Sequence, residues 1–316
     1  MVSTLLDPKT KERVQKQITG GGVDWRGTAF VVVLLAALLV TLAVLVILVA
    51  DQLQLGWGVF TERTWDFLNG TLRSQPDDPV IGVKQGLVGT FWIAVFTIVL
   101  AFPTGIAAAV YLEEYAPRNR FTSFIDLNIR NLAGVPSVVY GILGLTIFVQ
   151  QLEWLTKGPT LMAAGLTIAV LVLPIVIITS AEAVRAVPQP LREAGYGVGS
   201  TKWEVIRHHI LPYAAPGILT GTLLSLARAV GEAAPLILVG AITGRLASEG
   251  SFLDPGQLTE RFTAMPIVIT TWASRPQKEF VPLAAAAIIV LLAFVLLLNA
   301  TAIFLRNHFE RKREGR

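Results

Sequence analysis

The chain has 316 residues, 53% of them hydrophobic and 15% charged, with a formal net charge of +4. Soluble domains carry about 25% charged residues, so this balance points to a membrane protein. The absence of cysteine excludes a disulfide framework or thiolate metal centre, and His208, His209 and His308 are too few and too badly spaced for a zinc cluster.

A helix needs about 20 mostly apolar residues to cross a bilayer core. After an N-terminal segment (1–27), residues 28–50 (TAFVVVLLAALLVTLAVLVILVA) form an uncharged run of that kind. A cleaved signal peptide is the rival reading. Its apolar region runs to about 7–15 residues and is followed by a small-residue cleavage site. This run is longer and no such site stands out, so a retained span is expected. Residues 51–86 read as a polar outer loop, with Gly56, Gly58 and the turn-prone Gln75-Pro76-Asp77-Asp78.

Further spans are expected at 87–112, 132–149, 160–181, 213–242 and 281–305, followed by a tail at 306–316. Backbone groups in lipid must pair within the segment, and these runs are too long for barrel strands, so the fold class is an all-α polytopic bundle. Six spans put both termini on one side. About two thirds of the 26 lysines and arginines then lie on that side, in the N-terminal segment, the loops after spans two and four, and the tail. Both termini are therefore expected to be cytoplasmic. The +4 charge is no sign of nucleic-acid binding here, because its placement follows the membrane. A second outer loop, 245–280, contains FTAMPIVITTWA (262–273), too short to span. It reads as a lipid-resting hairpin or as an outer gate.

The cytoplasmic loop 182–212 (EAVRAVPQPLREAGYGVGSTKWEVIRHHILP) predicts two short helices. One begins near Pro190, which a first helical turn tolerates, and ends among Gly195, Gly197 and Gly199. The other carries a capping box, Thr201-x-x-Glu204, and ends at Pro212. Its Trp203, Ile206 and Ile210 share one apolar face.

The fifth expected span holds SLARAVGEAAPL (225–236), with Arg228 near mid-depth and Glu232 one turn on. A charge at the bilayer centre costs about 2.5–3.5 kcal/mol on insertion scales, and such residues face a bundle interior or a water path. At 100° per residue, Gly217, Gly221, Ser225, Arg228, Glu232 and Pro235 fall in one narrow sector. Small residues there let helices approach closely, and Pro235 predicts a kink after Gly231. An ion pair that only pins helices is the bland reading. Such pairs are often replaceable by apolar residues without loss, so an anion site is the sharper one, with the guanidinium matched to oxyanion oxygens. Glu232 either orients Arg228 or is protonated through burial.

Several stretches resemble a known family. Glu193-Ala194, Gly199 and Leu211-Pro212 match the spacing of the EAA loop of ABC-transporter permeases. Gly195 and His209 depart from the usual alanine and isoleucine, with Ile210 beside the latter. ARAVGEAAP resembles the Arg-x-x-x-Glu motif of oxyanion permeases. GVPSVVYGILGL (134–145), GEAAPLILVGA (231–241), FTAMPIVITTWASRPQKEF (262–280) and LLLNATAIFLRNHF (296–309) are similar to the A-type permease subunit of phosphate-uptake ABC importers.

The resemblance implies a type I (MetI-like) importer permease core over 87–305, in a multi-pass protein of the bacterial inner membrane. It implies a substrate pathway at Arg228 and Glu232; Ser225, on the same face, is expected to line it, with Gly217, Gly221, Gly231 and Pro235 expected to serve helix packing and the kink. ATPase coupling would fall to Glu193, Ala194, Gly199, Trp203, Ile206, Ile210, Leu211 and Pro212. The implied partners are a homologous C-type permease, two ATPase subunits, an extracytoplasmic phosphate-binding protein and membrane lipid.

The sequence has no G-x-x-x-x-G-K-[ST] loop, and no lysine follows a glycine anywhere. ATP and Mg²⁺ are therefore expected in the partner ATPase, with no cofactor on this chain. Sulfate or phosphonate is the alternative cargo. A self-sufficient secondary transporter lacks support, since no duplicated motif is seen. An intramembrane enzyme lacks histidine or cysteine at membrane depth.

Overall fold

The computed structural model describes residues 25–242 and 254–314; the basic residues before Trp25, the start of the second outer loop and the last two residues lie outside them. Contacts divide the chain into residues 1–52 and 53–316. In the first unit, residues 25–52 are helical and their apolar side chains, Phe30 and Leu38 among them, are exposed. A helix whose run 28–50 is uncharged, apolar all round and exposed suits lipid.

Among the described residues the elements are helices, apart from an isolated bridge between Thr71 and Ile81. They are α1 (Trp25–Asn69), α2 (Lys84–Tyr115), α3 (Arg120–Ala133), α4 (Ser137–Gln151), α5 (Glu153–Thr156) and α6 (Leu161–Arg185). Then come α7 (Gln189–Gly197), α8 (Lys202–Gly231), α9 (Ala234–Val239), α10 (Met265–Ala273) and α11 (Phe280–Glu314). Among the described residues, five helices are long and apolar enough to cross a membrane. A sixth crossing exists if α3 and α4, bent 99° to each other, count as one.

Three expected boundaries change. The outer loop does not begin at residue 51: α1 continues to Asn69, broken only at Arg63 (φ −151°, ψ 43°). Its polar outer face reads as loop, but Val59 and Phe67 pack with Trp272 and Phe280 in an apolar cluster. A Cβ on Gly56 would meet the Ala286 backbone nitrogen at 2.9 Å, so α1 and α11 touch there. The third span is not a helix from residue 132. Gly134 ends α3, and Pro136, which cannot donate to a preceding turn, starts α4. The segment 262–273 does not rest on lipid. Met265, Ile267, Val268 and Trp272 are all buried, and α10 packs on α11.

At the centre lies α6, apolar all round and mostly buried, against α2 on one side and α8 on the other. Small residues allow that contact. A Cβ on Gly217 would meet Ala183 at 2.9 Å, and one on Gly221 would meet the Thr179 hydroxyl at 2.4 Å. A separate cluster under the α7–α8 junction joins Val110, Val184, Val205, Ile206, Ile210 and Ile218.

Candidate substrate pathway and coupling surface

The charged pair stands at a helix break. α8 ends at Gly231, and Glu232 takes an extended backbone conformation (φ −77°, ψ 122°) before α9 begins at Ala234. The helical sector predicted through Pro235 therefore stops four residues early. Pro235 does not kink a continuous span; it sits in the first turn of α9, where its missing N–H costs nothing. There it is buried against α4, and a Cβ on Gly141 would meet the Pro235 Cα at 2.7 Å.

Across the break, Arg228 Nε donates to Glu232 Oε1 at 3.1 Å. The Arg228 side chain keeps 47% of its surface exposed and Glu232 18%. Arg228 shares its exposed stripe with Gly217, Thr220, Leu224 and Gly231. Arg228 thus faces outward from this chain's own core, with Glu232 largely covered beside it.

Two predicted members of that face, Ser225 and Gly221, are covered instead. Ser225 is buried, and its hydroxyl donates to the Gly221 carbonyl at 2.9 Å, so it offers no donor to a pathway. Gly221 is buried against Thr179. Gly231 packs against nothing: a Cβ there would enter open space, and the residue serves as the end of α8. Tyr140 was not singled out from sequence. Its hydroxyl donates to the Leu132 carbonyl at 2.9 Å, which ties α4 back across the bend.

In the loop 182–212, α7 has Pro190 in its first turn, as expected. The capping box forms in full. Thr201 Oγ1 accepts from the Glu204 N–H, and Glu204 Oε2 accepts from the Thr201 N–H at 2.7 Å. The second helix does not stop at Pro212. It passes through a π-helical turn (Ile206–Ile210) into the rest of α8, with Leu211 and Pro212 in the first turn after it.

Of the predicted apolar coupling face, only Trp203 is exposed, at 54%; Ile206 and Ile210 are fully buried in the chain's own cluster. The open surface includes Glu193, Ala194, Tyr196, Val198, Gly199 and Trp203. Tyr196 and Val198 were missed because they flank glycines and show no helical period. Gly199 has φ +83°, a left-handed conformation that glycine adopts without strain. Gly195, which departs from the motif's alanine, is forced: a Cβ would meet Val205 at 2.8 Å.

The loop is held from below by three successive residues of α2. Glu113 accepts from Arg185, with Nε at 3.2 Å. Glu114 pairs with Arg192, whose Nη2 also donates to the Val184 carbonyl at 2.8 Å. Tyr115 lies beneath Lys202, whose Nζ is 4.9 Å from the ring centroid. The π-helical turn at Tyr111–Tyr115 lets consecutive side chains reach three separate segments.

Residues 101–315 match the family described as "Binding-protein-dependent transport system inner membrane component". The chain belongs to this family. It is 34% identical over 261 residues to the "Phosphate transport system permease protein PstA 1" of Mycobacterium tuberculosis (strain CDC 1551 / Oshkosh), covering 82% of this chain and 81% of that one. It is 33% identical over 225 residues to the "Probable ABC transporter permease protein YqgH" of Bacillus subtilis (strain 168), covering 70% and 72%. A solved bacterial ABC transporter that imports the acidic polysaccharide alginate shares its fold with a TM-score of 0.58 and 16% identity, over 88% of this chain and 97% of that one. An inward-facing MetNI methionine transporter chain gives 0.54 at 16% identity, over 70% and 94%. Membership makes the chain a multi-pass membrane permease component, working with partner permease and ATPase subunits.

Proposed function

We propose that this chain is the A-type permease of an ATP-driven importer of inorganic phosphate in a bacterial inner membrane. The observation that carries the reading is the Arg228–Glu232 pair at the end of α8, with Arg228 outward from the chain's own core. A fixed cation at a helix break, on a face left open by its own bundle, suits a pathway shared with a second, homologous C-type permease. Relatives named as phosphate transport permeases support the cargo. Phosphate carries its own O–H, which a carboxylate accepts. In this reading Arg228 holds the oxyanion and Glu232 is an acceptor beside it, which favours phosphate or phosphonate over sulfate.

Two ATPase subunits dock on the surface around Glu193, Tyr196, Val198 and Trp203, and ATP with Mg²⁺ is bound there and not on this chain. An extracytoplasmic phosphate-binding protein delivers the cargo. The test is phosphate uptake by the assembled complex carrying Arg228→Ala or Glu232→Gln, with subunit assembly measured in parallel. Uptake should fall at least about tenfold for Arg228→Ala, the loss of a charge-assisted contact worth about 1.5–3 kcal/mol. Full uptake by that variant, or phosphate movement by the purified chain alone without ATP, would overturn the reading.

A further inference from the structure

A second polar constellation lies at the opposite end of the bundle from the coupling loop. There the N-termini of α2 and α6 and the segment before α10 enclose a cavity of about 280 Å³. Its lining residues include Lys84, Glu260, Arg261 and the hydroxyl-bearing Thr71 and Thr263, with Glu260 and Arg261 exposed. Arg228 is not among its lining residues, so this is a separate place from the pathway pair.

The walls are fixed by backbone contacts. The Leu161 N–H donates to the Glu260 carbonyl at 3.2 Å, and the Ile242 N–H donates to the Phe262 carbonyl at 2.8 Å. The Met265 N–H donates to Thr90 Oγ1, also at 2.8 Å. Segment 262–264 presses on α2 so closely that a Cβ on Gly89 would fall 1.8 Å from the Thr263 carbonyl oxygen. The backbone frame of the cavity therefore belongs to the packing.

The polar groups in this frame are underused. Among the described residues, neither Lys84 nor Arg261 forms an ion pair. Thr263 is 1% exposed and its hydroxyl has no hydrogen-bond partner, and the Thr71 hydroxyl has none either. A buried hydroxyl without a partner costs about 1–3 kcal/mol, and native structures keep few of them. Two cations and two unpaired hydroxyls around one cavity with a fixed backbone frame call for an anion with several oxygens.

Glu260 narrows the class. A carboxylate repels a fully ionised anion such as sulfate, but it accepts a hydrogen bond from an anion that still carries an O–H. A lipid phosphodiester has no such proton. We propose that this cavity is an outer receiving site for a protonated tetrahedral oxyanion, hydrogen phosphate or a phosphonate. Arg261 and Lys84 hold its charge, and Glu260 rejects sulfate and lipid headgroups. The proposal rests on the oxyanion-import reading and adds to it a second, selective site ahead of Arg228.

The test uses the whole complex in right-side-out vesicles. A membrane-impermeant amine-acetylating reagent is applied, and modification of Lys84 is read by peptide mass spectrometry. The exposed Lys157 and Lys278 serve as internal controls. Inorganic phosphate at twice its Kd should slow Lys84 modification about threefold and leave the controls unchanged. Sulfate should do little in the native chain and should protect in Glu260→Gln, whereas Arg261→Gln should lose protection. Because the first readout needs no substitution, it survives any variant that fails to fold. Lys84 modification indifferent to phosphate in a complex that imports phosphate overturns the proposal. Equal protection by sulfate in the native chain, or protection by phosphatidylglycerol instead, also overturns it. A complex that shows the protection yet imports no phosphate overturns the importer reading and leaves the cavity assignment standing.

Discussion

Glu114 and Arg192, 78 residues apart in sequence, form an ion pair with only 6% and 16% of their side-chain surfaces exposed. The pair joins the C-terminal end of α2 to α7, so a displacement of α7 is carried to a helix packed on α6 through a charged, largely desolvated contact. Removing one partner of such a pair leaves the other buried and uncompensated, which costs about 3–5 kcal/mol in fully buried cases. Glu114→Gln should therefore lower phosphate moved per ATP hydrolysed by about tenfold while ATPase subunits still copurify. The charge exchange Glu114→Arg with Arg192→Glu should recover part of that ratio. Unchanged coupling in the single variant would show the pair to be dispensable.

The coupling face can be separated from the core beneath it. Trp203→Ala removes an exposed ring and should weaken ATPase copurification without changing the chain's thermal stability. Ile206→Ala hollows a fully buried site and should cost about 2–5 kcal/mol, read as a lower unfolding temperature of the solubilised chain. If both variants lose the ATPase equally with native stability, the division between Trp203 and Ile206 is wrong.

At the α6–α8 crossing, Gly221 leaves no room for a side chain beside Thr179. Gly221→Val should cost about 1–3 kcal/mol through overpacking. Gly231→Ala, at a position surrounded by open space, should be close to neutral. Melting curves of the two purified variants check the contrast, and equal losses would contradict the packing described.

Gly199 carries a positive φ with open space around it, so its requirement is for backbone conformation and not for room. Gly199→Ala should cost about 1 kcal/mol, whereas Gly197→Ala, at ordinary φ, should not. Hydrogen exchange at Ser200 and Thr201 would report the difference as faster opening in the first variant only.

The sequence by itself determined the class of this protein. Apolar run length, the absence of charge in 28–50 and the placement of lysine and arginine suffice for a multi-pass helical bundle, because lipid leaves the backbone no other solution. It also determined the capping box at Thr201 and Glu204, since both bonds are local.

Tertiary structure decided which way things face. Ile206 and Trp203 share one helical stripe in sequence, but only contact with Val110 and Val184 buries one and leaves the other open. Gly221 and Arg228 share a predicted sector, yet α6 covers the first and not the second. The break at Glu232, the extension of α1 to Asn69 and the cavity around Arg261 follow from segments distant in the chain. Periodicity within one helix reports amphipathicity; it cannot say which neighbour will occupy each side.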